Sequence, residues 1–463
     1  MKKVLSTVAA LGLVAGLAST AAAVEFKMSG KYLVEGAYLS DSRGAGIYPI
    51  EEAGEATPSD AYWLHTFEIM PTMKVNDKIS MTSVIRLADD TFWGGQTGGD
   101  TEGLSGTNDV YVHQLYMDYA SPIGKVRLGR TPAGTYGTNF QDANKRGDRI
   151  MWYPSFLEKP WSAILYIEKS VDQRSTSTTT TTAPAGGGAV TTTTTTNFAT
   201  YQSDADSDKY VARLYYNTDT MDTGVHYHYA RDMTTPATNV DSDVKHELTA
   251  YGKFKMDNFF LNAELTHTFG GREYDNVTPA LADRDYDSWS GMAQVGGKFD
   301  ALTPSLMYFY AQGQDRNADG NGNDIENALG TAGTGDQFEP LYILTGRHTG
   351  MLNNDIFNVS ADVLEMRKSG VHAVVAAADY AVSNQLSLHG AIGWAQADEE
   401  RYAGQDDEYG WEYNVGAAYK LLDNLTYEAH FGYLDTGDFF NYDSPTDITE
   451  NVYLMTHSLT MTF

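Results

Sequence analysis

Segment after segment of about ten residues alternates apolar and polar side chains with a period of two, and this pattern rules out helical packing for most of the chain. In "YWLHTFEIMPTMKV", Trp63, His65, Phe67, Ile69 and Met73 share one face, and Thr66, Glu68, Thr72 and Lys74 the other. "KISMTSVIRLADD" sets Ile79, Met81, Ile85 and Leu87 opposite Arg86. "YGWEYNVGAAYKL" sets Trp411, Tyr413, Val415, Ala417 and Tyr419 against Glu412, Asn414 and Lys420. "LTYEAHFGYL" repeats the pattern with Leu425, Tyr427, Ala429, Phe431 and Tyr433 against Glu428 and His430. Such strands need an apolar medium on one side and water on the other.

Connections between these segments come in two lengths, and they alternate. Short ones sit at "VNDK", "SPIG", "NTDTMD", "KMDN", "KFDALT", "VSNQ" and "LLDN". Long ones, rich in Gly, Asp, Asn and Thr, cover residues 41–59, 90–108, 172–207, 315–353 and 398–408. Aromatic residues gather at strand ends, as Tyr111 and Tyr119 do in "VYVHQLYMDY" and Tyr215 and Tyr216 in "ARLYYN". Strands that cross a bilayer must satisfy every backbone group among themselves, so they close into a barrel with aromatic girdles at the two interfaces. The expected fold is an all-β, transmembrane, antiparallel up-and-down barrel of about 18 strands, with 16 as the alternative. Residues 341–370 leave the count open between a strand, a strand plus helix, and a segment folded into the pore. The Thr-rich tract within 175–200 has almost no apolar residue to place in a core and reads as a mobile outer loop.

At the N-terminus, Lys2 and Lys3 precede an Ala/Leu/Val-rich run from Val4 to Leu17 and a small-residue "STAAA". That order reads as a secretory leader, residues 1–23, cut after Ala23. The barrel then occupies 24–463. The chain has 0 Cys, which excludes disulfides and thiolate metal sites. Its 32 basic residues less Lys2 and Lys3 leave 30 against 61 acidic ones, a net charge of −31. Nucleic acid rewards the opposite sign and is excluded as a partner.

The chain closes on "ENVYLMTHSLTMTF", with Tyr453, Met455, His457, Leu459, Met461 and the terminal Phe463 on one face. This ending resembles the assembly signal of Gram-negative outer-membrane barrels. "GKVRLGR" (124–130) followed by "NKRGDRIMWYPSF" resembles the trimeric Gram-negative porins, although Tyr153-Pro154-Ser155 departs from the order usual there. In that family a strand ending in Gly-Arg leads into loop 3, which folds inward and narrows the pore. The resemblance assigns that role to residues 131–147. It implies passage of small hydrophilic solutes, residence among outer-membrane lipid and lipopolysaccharide, delivery by the barrel-assembly machinery, and a homotrimer. "FEPLYILTGRHTGML" with "GYLDTGDFF" is loosely similar to the 18-stranded alginate-export porins, which implies a channel for acidic sugars.

A constriction selects by charge and size at close quarters. Candidates on loop 3 are Asp142, Lys145, Arg146, Asp148 and Arg149. Lumen-facing charges taken from the alternation are Glu68, Arg86, Asp118, Arg127, Arg213, Glu264 and Glu428. For each one singly, an ordinary solvated wall position is the simpler expectation.

Two further motifs concern metals. "DRNADGNGNDIE" places Asp315, Asn317, Asp319, Asn321, Asn323 and Glu326 in a twelve-residue calcium frame, with Gly320 at the turn. No flanking helix is expected, and Gly322 stands where paired loops carry an aliphatic residue. No other cofactor is expected. In "GVHYHYARD", His226 and His228 share a strand face and could share a metal, but no third ligand is visible, and a wet lumen face is the simpler reading. No local hydrolase signature such as G-x-S-x-G occurs, so catalysis is not expected.

Overall fold

The structure, a computed structural model, describes residues 24–40, 59–93, 110–140, 142, 145–171, 176–182, 191–197, 206–233, 240–274, 283–315, 324–329, 334–335, 337–349, 351–352, 368–400, 404–441 and 449–463. The leader at 1–23 and the calcium-frame residues Asn317, Asp319, Asn321 and Asn323 lie outside them.

Strands run in chain order as β1 (Glu25–Leu39), β2 (Asp60–Lys74), β3 (Ile79–Phe92), β4 (Tyr111–Ser121), β5 (Gly124–Pro132), β6 (Arg146–Pro154) and β7 (Trp161–Val171). After a separate hairpin of β8 (Thr176–Thr182) and β9 (Thr191–Asn197) come β10 (Ser207–Asn217), β11 (Met221–Asp232), β12 (Val240–Met256), β13 (Phe259–Tyr274), β14 (Arg284–Gly297) and β15 (Leu302–Ala311). The last five are β16 (Val371–Ala381), β17 (Leu386–Gln396), β18 (Glu408–Leu422), β19 (Leu425–Thr436) and β20 (Val452–Thr462). Leaving out β8 and β9, these form one 18-stranded antiparallel sheet, and β20 returns to pair with β1. Eighteen strands, not sixteen, is therefore the count.

Closure is finished by the last residue. Gly30 and Phe463 exchange two backbone hydrogen bonds, 2.9 and 3.1 Å. The Phe463 ring lies so close that a Cβ on residue 30 would sit 2.4 Å from it, so only glycine allows this approach.

Alternation decides what faces outward. Leu165, Ile167, Leu248, Leu265, Val295, Leu306, Val374 and Val415 are exposed on the outer wall, far more apolar surface than a water-soluble monomer shows. The Trp63–Trp93 stack lies toward the long-loop end and the Trp161–Tyr216 pair at the short-turn end, at 5.3 and 4.9 Å between rings. Apolar wall between aromatic rims is what a bilayer requires. Strands of 9 to 17 residues are long enough to cross it.

The Thr-rich tract carries regular structure that the sequence reading withheld: Thr176–Thr182 pairs antiparallel with Thr191–Asn197. Threonine lacks the apolar surface for a core, but its branched Cβ favours extended backbone.

Where a wide barrel would hold only water, this one holds an apolar core. Phe140, Phe309, Phe338, Leu341, Ile343 and Leu344 are buried together within it. The cluster is built by the inner faces of β14–β20 and by the described residues of two connections, loop 3 (between β5 and β6, within 133–145) and loop 7 (between β15 and β16, within 312–370), which turn inward. The open assignment at 341–370 is settled in part: residues 338–349 form a run of turns folded into the lumen.

Candidate functional site

Loop 3 is short and turns inward because the wall offers partners for its backbone. Arg213 on β10 donates to the carbonyls of Ala133 and Gly134, at 2.9 and 2.7 Å. On β13, Glu264 Oε2 accepts the Thr138 N–H at 2.6 Å and its hydroxyl at 3.0 Å. Tyr136 stacks on His226 with 4.0 Å between centroids, and Phe140 lies edge-on to Phe338 of loop 7 at 5.0 Å. The two loops also share a backbone bond, Gly335 N–H to Phe140 O, 2.8 Å. They meet across the lumen.

Loop 7 is fixed more heavily. Glu412 on β18, fully buried, accepts the consecutive N–H groups of Ile343 and Leu344 at 2.7 and 2.8 Å. Arg347 reaches the adjoining wall, donating to Glu35 on β1 at 2.7 Å and to Asp90 on β3 at 3.2 Å. His348 pairs with the Tyr62 hydroxyl at 3.0 Å, and Tyr342 with His430 at 2.9 Å. Small wall residues make room: a Cβ on Gly393 would lie 2.7 Å from the Leu341 methyls. Each hydrogen bond to a charged group is worth about 1.5–3 kcal/mol, so this set can hold a loop of modest intrinsic order.

The loops fill the sector bounded by β14–β20 and lean on β10–β13. Along β2–β6 the wall keeps half-exposed paired charges, although Tyr62, Leu64 and Arg149 on the same strands are buried. Glu68 accepts from Arg86 at 3.3 Å. Arg127 grips Asp118 with two bonds of 2.7 and 2.8 Å and lies over the Tyr116 ring at 4.1 Å. Lys125 lies over Tyr153 at 4.0 Å. An opening on β1, β19 and β20 below loop 7, about 290 Å³, exposes Glu428 beside His430, Thr456 and Ser458.

These positions sort the sequence candidates. Glu68, Arg86, Asp118 and Arg127 face the lumen as partly exposed ion pairs, and Glu428 borders an opening. Arg213 and Glu264 face it too, but they lie buried beneath loop 3 as its anchors. Of the residues read onto loop 3, only Asp142 and Lys145 belong to it; Arg146, Asp148 and Arg149 are on β6. Asp142 is buried and accepts the Tyr136 N–H at 2.9 Å. Arg149 is buried and holds Glu168, Thr131 O and Lys145 O. Asp148 pairs with Arg130 at 3.5 Å on the outward face beside Ile150, because its parity is opposite to that of Arg149. Arg146 starts β6 beside His113, 3.4 Å away. At the calcium frame, the Asp315 N–H donates to Glu326 Oε2 at 3.0 Å, so positions 1 and 12 meet. The histidine pair is not wet: His226 is buried under Tyr136. The alternation set Glu412 on the polar face without a role and gave no sign of Arg347 and Glu35, because their partners lie up to 312 residues away and leave no local signal.

No protein-family model matches the chain, and no curated protein sequence matches it. Solved structures do. OccK9 (OpdG) of Pseudomonas aeruginosa superposes with a TM-score of 0.51 at 12% identity, covering 95% of this chain and 99% of that one. OpdQ of the same organism gives 0.51 at 11%, covering 94% and 97%. A BenF-like porin from Pseudomonas fluorescens Pf-5 gives 0.49 at 12%, covering 94% and 99%. With OccK9 and OpdQ, this chain shares the closed 18-strand barrel fold.

Proposed function

We propose that this chain is an outer-membrane porin of a Gram-negative bacterium, a water-filled channel for passive diffusion of small hydrophilic solutes and ions. The observation that carries the reading is the closed 18-strand barrel with an apolar outer wall, whose lumen is narrowed by loops 3 and 7 and keeps a charged, half-exposed face along β2–β6. A barrel this wide holds either a channel or a plug, and here the inward loops cover only part of the wall. The long connections face the cell exterior. The chain assembles as a homotrimer through the barrel-assembly machinery, with the Arg130–Asp148 pair at the level of lipopolysaccharide headgroups; the resemblance at 124–130 supports the trimer. Liposomes carrying the purified protein should swell in small sugars and not in high-molecular-weight dextran. Equal exclusion of both would reject the channel.

A second reading, a channel for acidic sugars, is favoured by Lys125, whose ammonium lies beside the Tyr153 ring. It offers a cation to a sugar carboxylate next to an aromatic side chain. Saturable block of current by oligouronates, absent with neutral oligosaccharides, distinguishes it.

The meeting of Asp315 with Glu326 supports calcium at residues 315–326, as a clasp on loop 7 rather than a sensor.

A further inference from the structure

Beneath loop 3, the wall gathers three groups whose chemistry is that of metal ligands. His226 and His228 lie two apart on β11 and so project from the same face. Directly across from His228 in the β11–β12 register stands Glu247. One ligand atom from each of the three lies within 4.8 Å of the others. The sequence showed only the histidine pair, because the third group comes from the next strand and is fixed by register alone.

A second observation points to a ligand. The His228 Nε2 is buried and has no hydrogen-bond partner among the described residues. An orphaned ring nitrogen away from water is costly, so a polar cluster serving only the fold would be expected to satisfy it. From these observations we propose that His226, His228 and Glu247 form a binding site for one divalent transition-metal ion of the zinc type.

The donor set selects that class. Two imidazole nitrogens and one carboxylate suit zinc, copper or nickel, whereas calcium and magnesium take oxygen ligands. Three protein ligands leave at least one position for water. Bonds of about 2.0–2.1 Å require the three groups to draw closer than they stand now. Arg213 sets the terms for His226: its Nε–H donates to Nδ1 at 3.0 Å, which leaves the ring's own proton on Nε2. Binding the ion through Nε2 requires that proton to move to Nδ1, which forfeits the Arg213 bond, and the guanidinium repels the incoming charge. His228 and Glu247 therefore supply the primary ligands and His226 joins them at a cost, which makes the site weaker than a structural zinc centre. Tyr136 covers His226, so the occupied site lies against the root of loop 3.

Equilibrium dialysis of the folded, detergent-solubilised protein against zinc chloride tests the site, with cupric EPR reading the number of coordinated nitrogens. One zinc per chain and a cupric signal split by two imidazole nitrogens are expected. His228→Ala and Glu247→Gln should each weaken zinc binding by about tenfold or more, and His389→Ala, a histidine elsewhere in the barrel, should not. Glu247→Gln preserves size and polarity, so it decides the matter should His228→Ala not fold. No stoichiometric zinc, or wild-type affinity in Glu247→Gln, overturns the site. Because the readout is binding and not conductance, its failure leaves the channel reading standing.

Discussion

Thr138 gives both its N–H and its hydroxyl to a single oxygen of Glu264, at 2.6 and 3.0 Å, across 126 residues of sequence. One buried carboxylate on the wall thereby fixes the middle of loop 3. Its substitution tests the loop as a constriction. Glu264→Ala forfeits about 3 kcal/mol of anchoring and should raise single-channel conductance and its low-frequency noise. An unchanged, quiet channel would mean that loop 3 does not set the bore.

Glu412 does the same for loop 7, through two backbone N–H groups instead of one. Glu412→Ala strands both donors and should weaken docking by about 2–6 kcal/mol. Glu412→Gln keeps one carbonyl acceptor and should fall between that variant and wild type. Trypsin provides the readout, because release of loop 7 breaks the Arg347 contacts to Glu35 and Asp90 and frees that site for cleavage. Resistance equal to wild type in Glu412→Ala would show that the apolar contacts alone hold the loop.

At the seam, Gly30→Val drives its Cβ into the Phe463 ring and against the Glu68 carbonyl. Overpacking of this kind costs about 1–3 kcal/mol and should lower the temperature at which the barrel loses its heat-modifiable gel mobility. An identical transition would mean the β1–β20 closure has slack.

The sequence made some of this legible and hid the rest for physical reasons. Period-two alternation is local, so Trp63, Val415 and Met455 could be placed outward and Glu68, Arg86 and Glu428 inward without coordinates. Turn chemistry is local too, and alternating short and long connections led to eighteen strands. Whether an inward charge meets water or a loop is not local. Arg213 and Glu264 have the same alternation as Arg127, yet they are covered, because only the folded loop 3 decides which wall it lies on. Loop 7 was hidden for the same reason. Leu341, Ile343 and Leu344 look like a weak strand until Glu412 and Gly393 are brought beneath them.

Loop ends should respond to pH through Glu399. Burial raises its carboxyl pKa, and Asp315, Asp398, Glu326 and Glu400 raise it further. A carboxyl raised on folding binds a proton more tightly in the folded state, so its stabilising effect is present at low pH and fades as pH climbs through the raised value. Protease protection around Glu326 and Glu399 should therefore decline from about pH 4 toward neutrality, and calcium should restore it at pH 7. Protection independent of both pH and calcium would remove the proposed clasp.

In the proposed channel, water and ions pass along β2–β6 beside the two inward loops. Planar-bilayer recording of the purified protein tests it most directly. Discrete ohmic steps that grow when Glu264→Ala and Glu412→Ala loosen the loops are expected. No conductance in wild type or in either variant, from protein that migrates as a folded barrel, would contradict it.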